Sequence, residues 1–299
     1  MRRISYTCAA AAALVLTVLP LASPDRAWAQ TKGKTAKAAA ERNLPVAIHA
    51  AYNIHEVFDI IREHRMTSVE LLREVGLMSD RLNIGHGNFT CDNPLMNYSG
   101  SHDLGIMGEH RCSISHCPVN VARRGRFLDN WESYRAAGVN IALGTDTYPR
   151  DMILQMRNAS YFGKVASGNL KAATAAQVFE AATLGGAHTV GRDDIGRLAP
   201  GAKADIVIID LTGGDGLRMG PVRDPIKSLI DCGIGNDVDT VIVDGVVRME
   251  HGRIPGIDFA ALRAQAQAAG ERVWSGWQNW DPLGRTADEM SPFSFPRAN

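Results

Sequence analysis

Short apolar runs alternate with stretches of helical spacing along the middle of this 299-residue chain. Val46-Ala47-Ile48 precedes a helical pattern from Val57 to Arg65, and Leu82-Asn83-Ile84 precedes a polar loop. Cys112-Ser113-Ile114 precedes Leu128 to Ala137, and Val139 to Leu143 precedes Asp151 to Val165. Parallel strands need crossover connections, so this order predicts a parallel sheet built from βα units. Each apolar run closes on an ionisable residue: His49, His86, His116 and Asp146. In βα barrels the loops at the C-terminal strand ends converge on the barrel axis, and chemistry sits there. Singly, each residue has an ordinary reading, since a strand-end histidine is more often hydrogen-bonded core and the aspartate of Gly-Thr-Asp can open a turn. Their recurrence at successive strand ends is what points to a shared site.

Past the helical stretch Ala175 to Leu184 the pattern changes. Ile195 to Asp210 reads as hairpin, turn and buried strand, and Val241 to Arg248 as a second hairpin about Asp244-Gly245, a dipeptide suited to a type I′ turn. A helix from Phe259 to Val273 follows, with Trp274, Trp277 and Trp280 expected on the surface. The first residues differ in kind: Arg2 and Arg3, an apolar run from Cys8 to Ala22, then Ala27-Trp28-Ala29. That is the order of a secretory signal peptide, with a run too short for a comfortable membrane span. The expected organisation is a signal peptide over 1–29, a frayed helix or linker over 30–43, an α/β domain over 44–190, a small β annex over 191–255 and a helix and tail over 256–299. Export, to the periplasm in a bacterium, is expected, with no membrane attachment after cleavage.

The formal charge is zero, which gives no footing for nucleic acid or an anionic membrane surface as partner. Cys91, Cys112, Cys117 and Cys232 match neither a zinc knuckle nor a small disulfide scaffold. A Cys91–Cys112 bridge stays open, but free buried thiols are the favoured reading.

Five segments carry a more specific signal: AIHAAYN at 47–53, IGHGNF at 84–89, SISHCPVN at 113–120, ALGTDTYPRDM at 142–152 and IGRLAPGAKADIVIIDL at 195–211. In this order the chain resembles metal-dependent amidohydrolases of the cytosine and guanine deaminase and triazine chlorohydrolase branch. The resemblance implies strands 5–8 of a (β/α)8 TIM-type barrel with a C-terminal β annex. It also implies a hydrolase acting on carbon–nitrogen or carbon–halogen bonds of a small molecule, a heterocycle among the candidates, with one divalent ion, Zn2+ or Fe2+. By position, His49 is the fifth-strand metal ligand, His86 the sixth-strand ligand or partner of the attacking water, and Asp146 the eighth-strand ligand and proton acceptor. His86 and Asp146 are thus the catalytic candidates. Tyr52 is a substrate-binding candidate, at a place where ring deaminases carry a proton-shuttling glutamate. His116 is expected to be structural or pocket-lining, and His55, His64, His102 and His110 surface or core.

The family's first-strand His-x-His pair occurs nowhere in the sequence. The expectation is therefore a partial barrel with impaired metal binding and activity, or, alternatively, a truncated, non-catalytic relative serving as a binding or assembly module or a decaying gene product. Open sheet edges would call for a homo-oligomer or a partner that covers them.

Overall fold

The computed structural model describes residues 14–16, 26–212 and 217–295. At its centre is a parallel sheet in sequence order: β1 (Leu14–Leu16), β2 (Val46–Ala50), β3 (Leu82–His86), β4 (Ser113–His116) and β5 (Asn140–Leu143). The crossovers carry α1 (Arg26–Glu41), then α2 (Ile54–His64) and α3 (Ser68–Glu74), α4 (Asp103–Glu109), and α5 (Pro118–Ala122) with α6 (Trp131–Ala136). After β5 come α7 (Met152–Ser167) and α8 (Ala175–Glu180), which continues through a π-helical turn, Ala181–Gly185, into α9 (Gly186–Thr189). This is the α/β architecture expected from the alternation.

The two faces of the sheet follow the period-2 rule. Val46, Ile48, Leu82, Ile84, Ile114, Ile141 and Leu143 are buried in the main core, together with Val69, Leu71, Met107, Trp131, Tyr134 and Val178 from the helices. The opposite face carries Ala47, His49, Asn83, Gly85 and Ser115, where Ser115 Oγ donates to Asn83 Oδ1 at 3.0 Å. Small and polar residues on that face leave room for chemistry, while the packed face fixes the strands.

Several local features depart from the sequence reading. Over 30–43, where a frayed helix or linker is expected, α1 is continuous to Glu41 and its Ala39 is buried in the core, so order begins before Leu44. The polar stretch after β3 contains α4, whose Asp103 is buried and accepts bonds from Thr67 Oγ1, Ser101 Oγ and the Cys91 amide. The hairpin expected from Ile195 is absent among the described residues: 195–205 runs through bends and turns, and the strand starts at Ile206. Gly196 and Gly201 sit at positive φ there, which breaks any ladder.

The annex sheet has the order β6 (Ile206–Ile209), β7 (Val238–Val243), β8 (Val246–Met249), with α10 (Pro225–Cys232) inserted before β7. Asp244 and Gly245, at φ 49° and 77°, form the tight turn expected between β7 and β8. A second compact unit, Arg248–Asn299, holds α11 (Phe259–Gly276) and α12 (Ala287–Met290). Trp274 and Trp280 are exposed, as expected. The four cysteines named above are free thiols. No described helix is long and apolar enough to cross a membrane. Of the segment expected to be a signal peptide, Arg2, Arg3 and most of the apolar run lie outside the described residues.

Candidate active site

Backbone geometry at the strand ends brings the ionisable residues together. At the end of β2 the chain turns through Ala51 at φ 50°, and Glu56 holds this turn by accepting from the Ala51 and Tyr52 amides at 3.1 and 3.3 Å. Asn53 caps α2 from the same turn. At the end of β3, His86 and Gly87 both adopt positive φ, 74° and 59°, and Asp146 after β5 does so at 54°. Left-handed conformations are costly for residues with a Cβ, so their concentration at three strand ends marks a region where local strain is tolerated for placement of side chains.

His86 shows what the strain achieves. By alternation it shares the packed face with Leu82 and Ile84, yet its ring stands 4.9 Å from that of His49, which belongs to the opposite face. The positive φ turns the imidazole off the helix layer toward the pole of the sheet. His49 pairs in register with Gly85, and a Cβ at Gly85 would come within 2.4 Å of His49 Cδ2. Glycine there lets the His49 ring lie across β3. Tyr52 completes the group, with ring centroids 4.2 Å from His86 and 6.4 Å from His49. Asp146 Oδ2 lies 3.8 Å from His86 Nε2. All four residues expected at the site therefore meet at the C-terminal pole.

Asn120, on α5, donates from Nδ2 to Asp146 Oδ2. It is buried, and α5 is itself anchored by the Val119 amide donating to Oε1 of the fully buried Gln155 at 3.2 Å. Asn120 and Gly85 were within the segments quoted above, but nothing in their types alone marks them. His116 lies buried beside Trp131, ring centroids 6.3 Å apart, in the layer between sheet and helices. Its placement is that of a residue behind the site.

Burial, with a smaller contribution from His49, holds the His86 imidazole down to about 4, against an opposing pull from Asp146. Burial and the neighbouring His86 hold His116 down to about 3. At neutral pH His86 is therefore a neutral ring beside a carboxylate, not half of an ion pair. Its Nδ1 is buried without a hydrogen-bond partner. Burial, aided by Asp146, pushes the Cys117 thiol up to about 12, so it is no nucleophile.

A cavity of about 460 Å³ lies at the other end of the sheet, between Arg111, Asn140 and Ile141 and the turn around Gly185, away from these residues.

The amidohydrolase family model matches residues 23–248. The chain belongs to the amidohydrolase family. It is 33% identical over 233 residues to a 5-methylthioadenosine/S-adenosylhomocysteine deaminase of Halobacterium salinarum, covering 77% of this chain and 51% of that protein. To an 8-oxoguanine deaminase of Pseudomonas aeruginosa it is 29% identical over 268 residues, covering 88% and 57%. A solved adenosine deaminase from Xanthomonas campestris with bound zinc superposes with a TM-score of 0.73 at 26% identity, over 82% of this chain and 54% of that one. The atrazine chlorohydrolase TrzN of Arthrobacter aurescens, complexed with zinc, shares the fold with a TM-score of 0.72 at 24% identity, over 85% and 54%. This amidohydrolase chain thus spans about half the length of the relatives it matches.

Zinc in those structures raises the question whether the residues here suit an ion. Two imidazoles and a carboxylate are suitable donor types. Among the described residues, however, no three His, Cys, Asp or Glu side chains are grouped so as to hold one. Asp146 Oδ2 is engaged by Asn120, and His49 is exposed. The donors present do not make a metal centre.

Proposed function

We propose that this chain provides the C-terminal strand-end part of an amidohydrolase site, on a partial barrel, for hydrolysis of a carbon–nitrogen or carbon–halogen bond in a small heterocyclic molecule. The observation that carries the reading is the meeting of His49, Tyr52, His86 and Asp146 at one pole of the parallel sheet, in a member of this family. With Oδ2 held by Asn120, Asp146 presents Oδ1 to accept a proton from an attacking water. His86, neutral, can orient that water through a hydrogen bond. The Tyr52 ring offers a flat face for a heterocycle to stack on. A divalent ion, zinc or iron, would need donors besides His49, His86 and Asp146. A second copy or another chain closing the barrel would supply them and cover the open face.

One observation favours a second reading, a binding or assembly module without turnover: among the described residues the donors do not group into an ion site. Elemental analysis of dialysed protein, together with assays on aminated and chlorinated triazines, pyrimidines and purines, separates the two. Tightly held metal and turnover, both lost in His49→Ala and Asp146→Ala, support the hydrolase. Ligand binding with neither metal nor turnover supports the module.

A further inference from the structure

Three arginines follow α5 within four residues: Arg123, Arg124 and Arg126. Each guanidinium lies over an aromatic ring at the strand-end pole, Arg123 4.2 Å from the centroid of Tyr148, Arg124 5.3 Å from Tyr52 and Arg126 4.9 Å from Phe89. The rings come from the loops after β5, β2 and β3, and the arginines from the loop after β4, so the contacts join four strand ends in one rim. Tyr52 in turn stacks on His86 at 4.2 Å, which leaves one ring between Arg124 and the centre of the site.

None of the three arginines pairs with a carboxylate among the described residues, whereas Arg62, Arg192 and Arg285 pair with Asp59, Asp194 and Asp281. Arg123 donates to the Tyr148 carbonyl at 3.4 Å and to its hydroxyl; for Arg124 and Arg126 the structure gives the ring contact alone. Of the acids on neighbouring turns, Asp146 is engaged by Asn120 and Glu56 by the Ala51 and Tyr52 amides. A guanidinium stacked on a ring is held by cation–π attraction while its in-plane N–H groups stay free to fork onto an oxyanion. Three such groups against Asp146 and Glu56 leave the mouth of the site with a positive excess, in a chain whose overall charge is zero.

We infer that this arginine rim is the specificity determinant of the site, binding an oxyanionic substituent, carboxylate or phosphate, on a substrate whose ring reaches Tyr52 and His86. The ring's placement rests on the hydrolase reading above; the anion site does not. Two measurements on the full chain test it. In the first, calorimetry compares adenosine, adenosine 5′-carboxylate and adenosine 5′-monophosphate, which share a base and differ at one substituent. At least one anionic ligand should bind about tenfold more tightly than adenosine, as expected for a charge-assisted fork. That preference for anionic over neutral ligand should shrink in about 0.5 M NaCl and vanish in Arg124→Gln/Arg126→Gln, with partial recovery in the double lysine variant. Which anion is preferred tells carboxylate from phosphate.

In the second, side-chain Nε–Hε NMR signals of Arg124 and Arg126, assigned by the variants, should shift on adding millimolar inorganic phosphate at low salt. Shifts with phosphate but no binding of any adenosine derivative would refute the ring placement and retain the rim. Equal affinity for neutral and anionic ligands, or silence of the arginine signals toward phosphate, would overturn the rim.

Discussion

His116 is an imidazole kept neutral by its surroundings, and that has a cost that depends on pH. Its proton affinity in the native state, like that of His86, lies below the ordinary 6.5, at about 3 and about 4 respectively. Above pH 6.5 both states are neutral and nothing is lost. As pH falls below 6.5 the unfolded chain takes up protons that the native chain refuses, so stability drops, by about 1.4 kcal/mol per pH unit for each group, until the native pKa is reached. Urea unfolding of wild type and His116→Gln between pH 7 and pH 4.5 checks this: the variant should lose about one proton's worth of the slope, and identical slopes would refute it. A second residue-scale expectation concerns Gly85. In Gly85→Ala the new Cβ would push the His49 ring aside, and any turnover should fall by roughly tenfold or more, because misplacement of a reacting group is costly even where folding survives. Unchanged turnover with unchanged thermal stability would mean that His49 takes no part. The candidate site was legible in the sequence as far as residue type and strand-end position go: His49, Tyr52, His86 and Asp146 do meet. Asn120 and the arginine rim were not legible, because an amide aimed at a carboxylate and a guanidinium over a ring depend on how loops fold back, which no spacing records.

The elements repeat that division. Strands β2 to β5 and helix α7 follow from apolar periodicity, which survives because burial on the packed face of the sheet demands it; α11 is also expected from the sequence, though none of its residues is buried. Helix α4 is hidden in a stretch that looks like loop, since Asp103 ties it to α3 and to Cys91; α3 is missed in the sequence reading although Thr67 and Glu70 form a capping box. The hairpin expected from Ile195 fails for the complementary reason, a run with strand-like residues but no partner ladder. The π-helical turn after α8 was equally invisible, yet it has a definite task, to cover one edge of β5. Gly185 makes this possible, since a Cβ there would come within 2.3 Å of the Ile141 carbonyl oxygen, and Asn140 Nδ2 donates to the Gly185 carbonyl at 3.1 Å. Neither backbone can give way cheaply. Gly185→Ala should therefore lose about 2 kcal/mol in urea unfolding, the range for overpacking a close contact, and should associate more readily as the edge of β5 comes free. A variant as stable as wild type would show that the edge is not held this way.

At the scale of the whole molecule, two demands fall on the same residues. Leu14–Leu16 form β1, pairing in parallel with Val46–Ile48, yet they also lie inside the apolar run of the leader. The A-x-A sequence Ala27-Trp28-Ala29 sits in the first turn of α1, which has no acidic residue there to favour the helix end. A signal peptidase needs this segment extended, so processing requires that first turn to open before cutting, and it would carry β1 away with the leader. The family match begins at residue 23, beyond β1 but before Ala27-Trp28-Ala29, so cleavage would also trim the first residues of the matched region. From the order of charged, apolar and A-x-A segments in the sequence, export with cleavage between Ala29 and Gln30 is the prediction, read by intact mass of protein recovered from a bacterial periplasm. The consequence reaches the sheet: without β1, the edge of β2 around Val46 and Ile48 is left without a strand partner. Light scattering on the processed protein should then report a species larger than one chain. A periplasmic protein retaining Met1 would remove the leader reading and leave β1 as a permanent strand, and a processed protein that stays monomeric would show that the edge of β2 is covered by the chain itself.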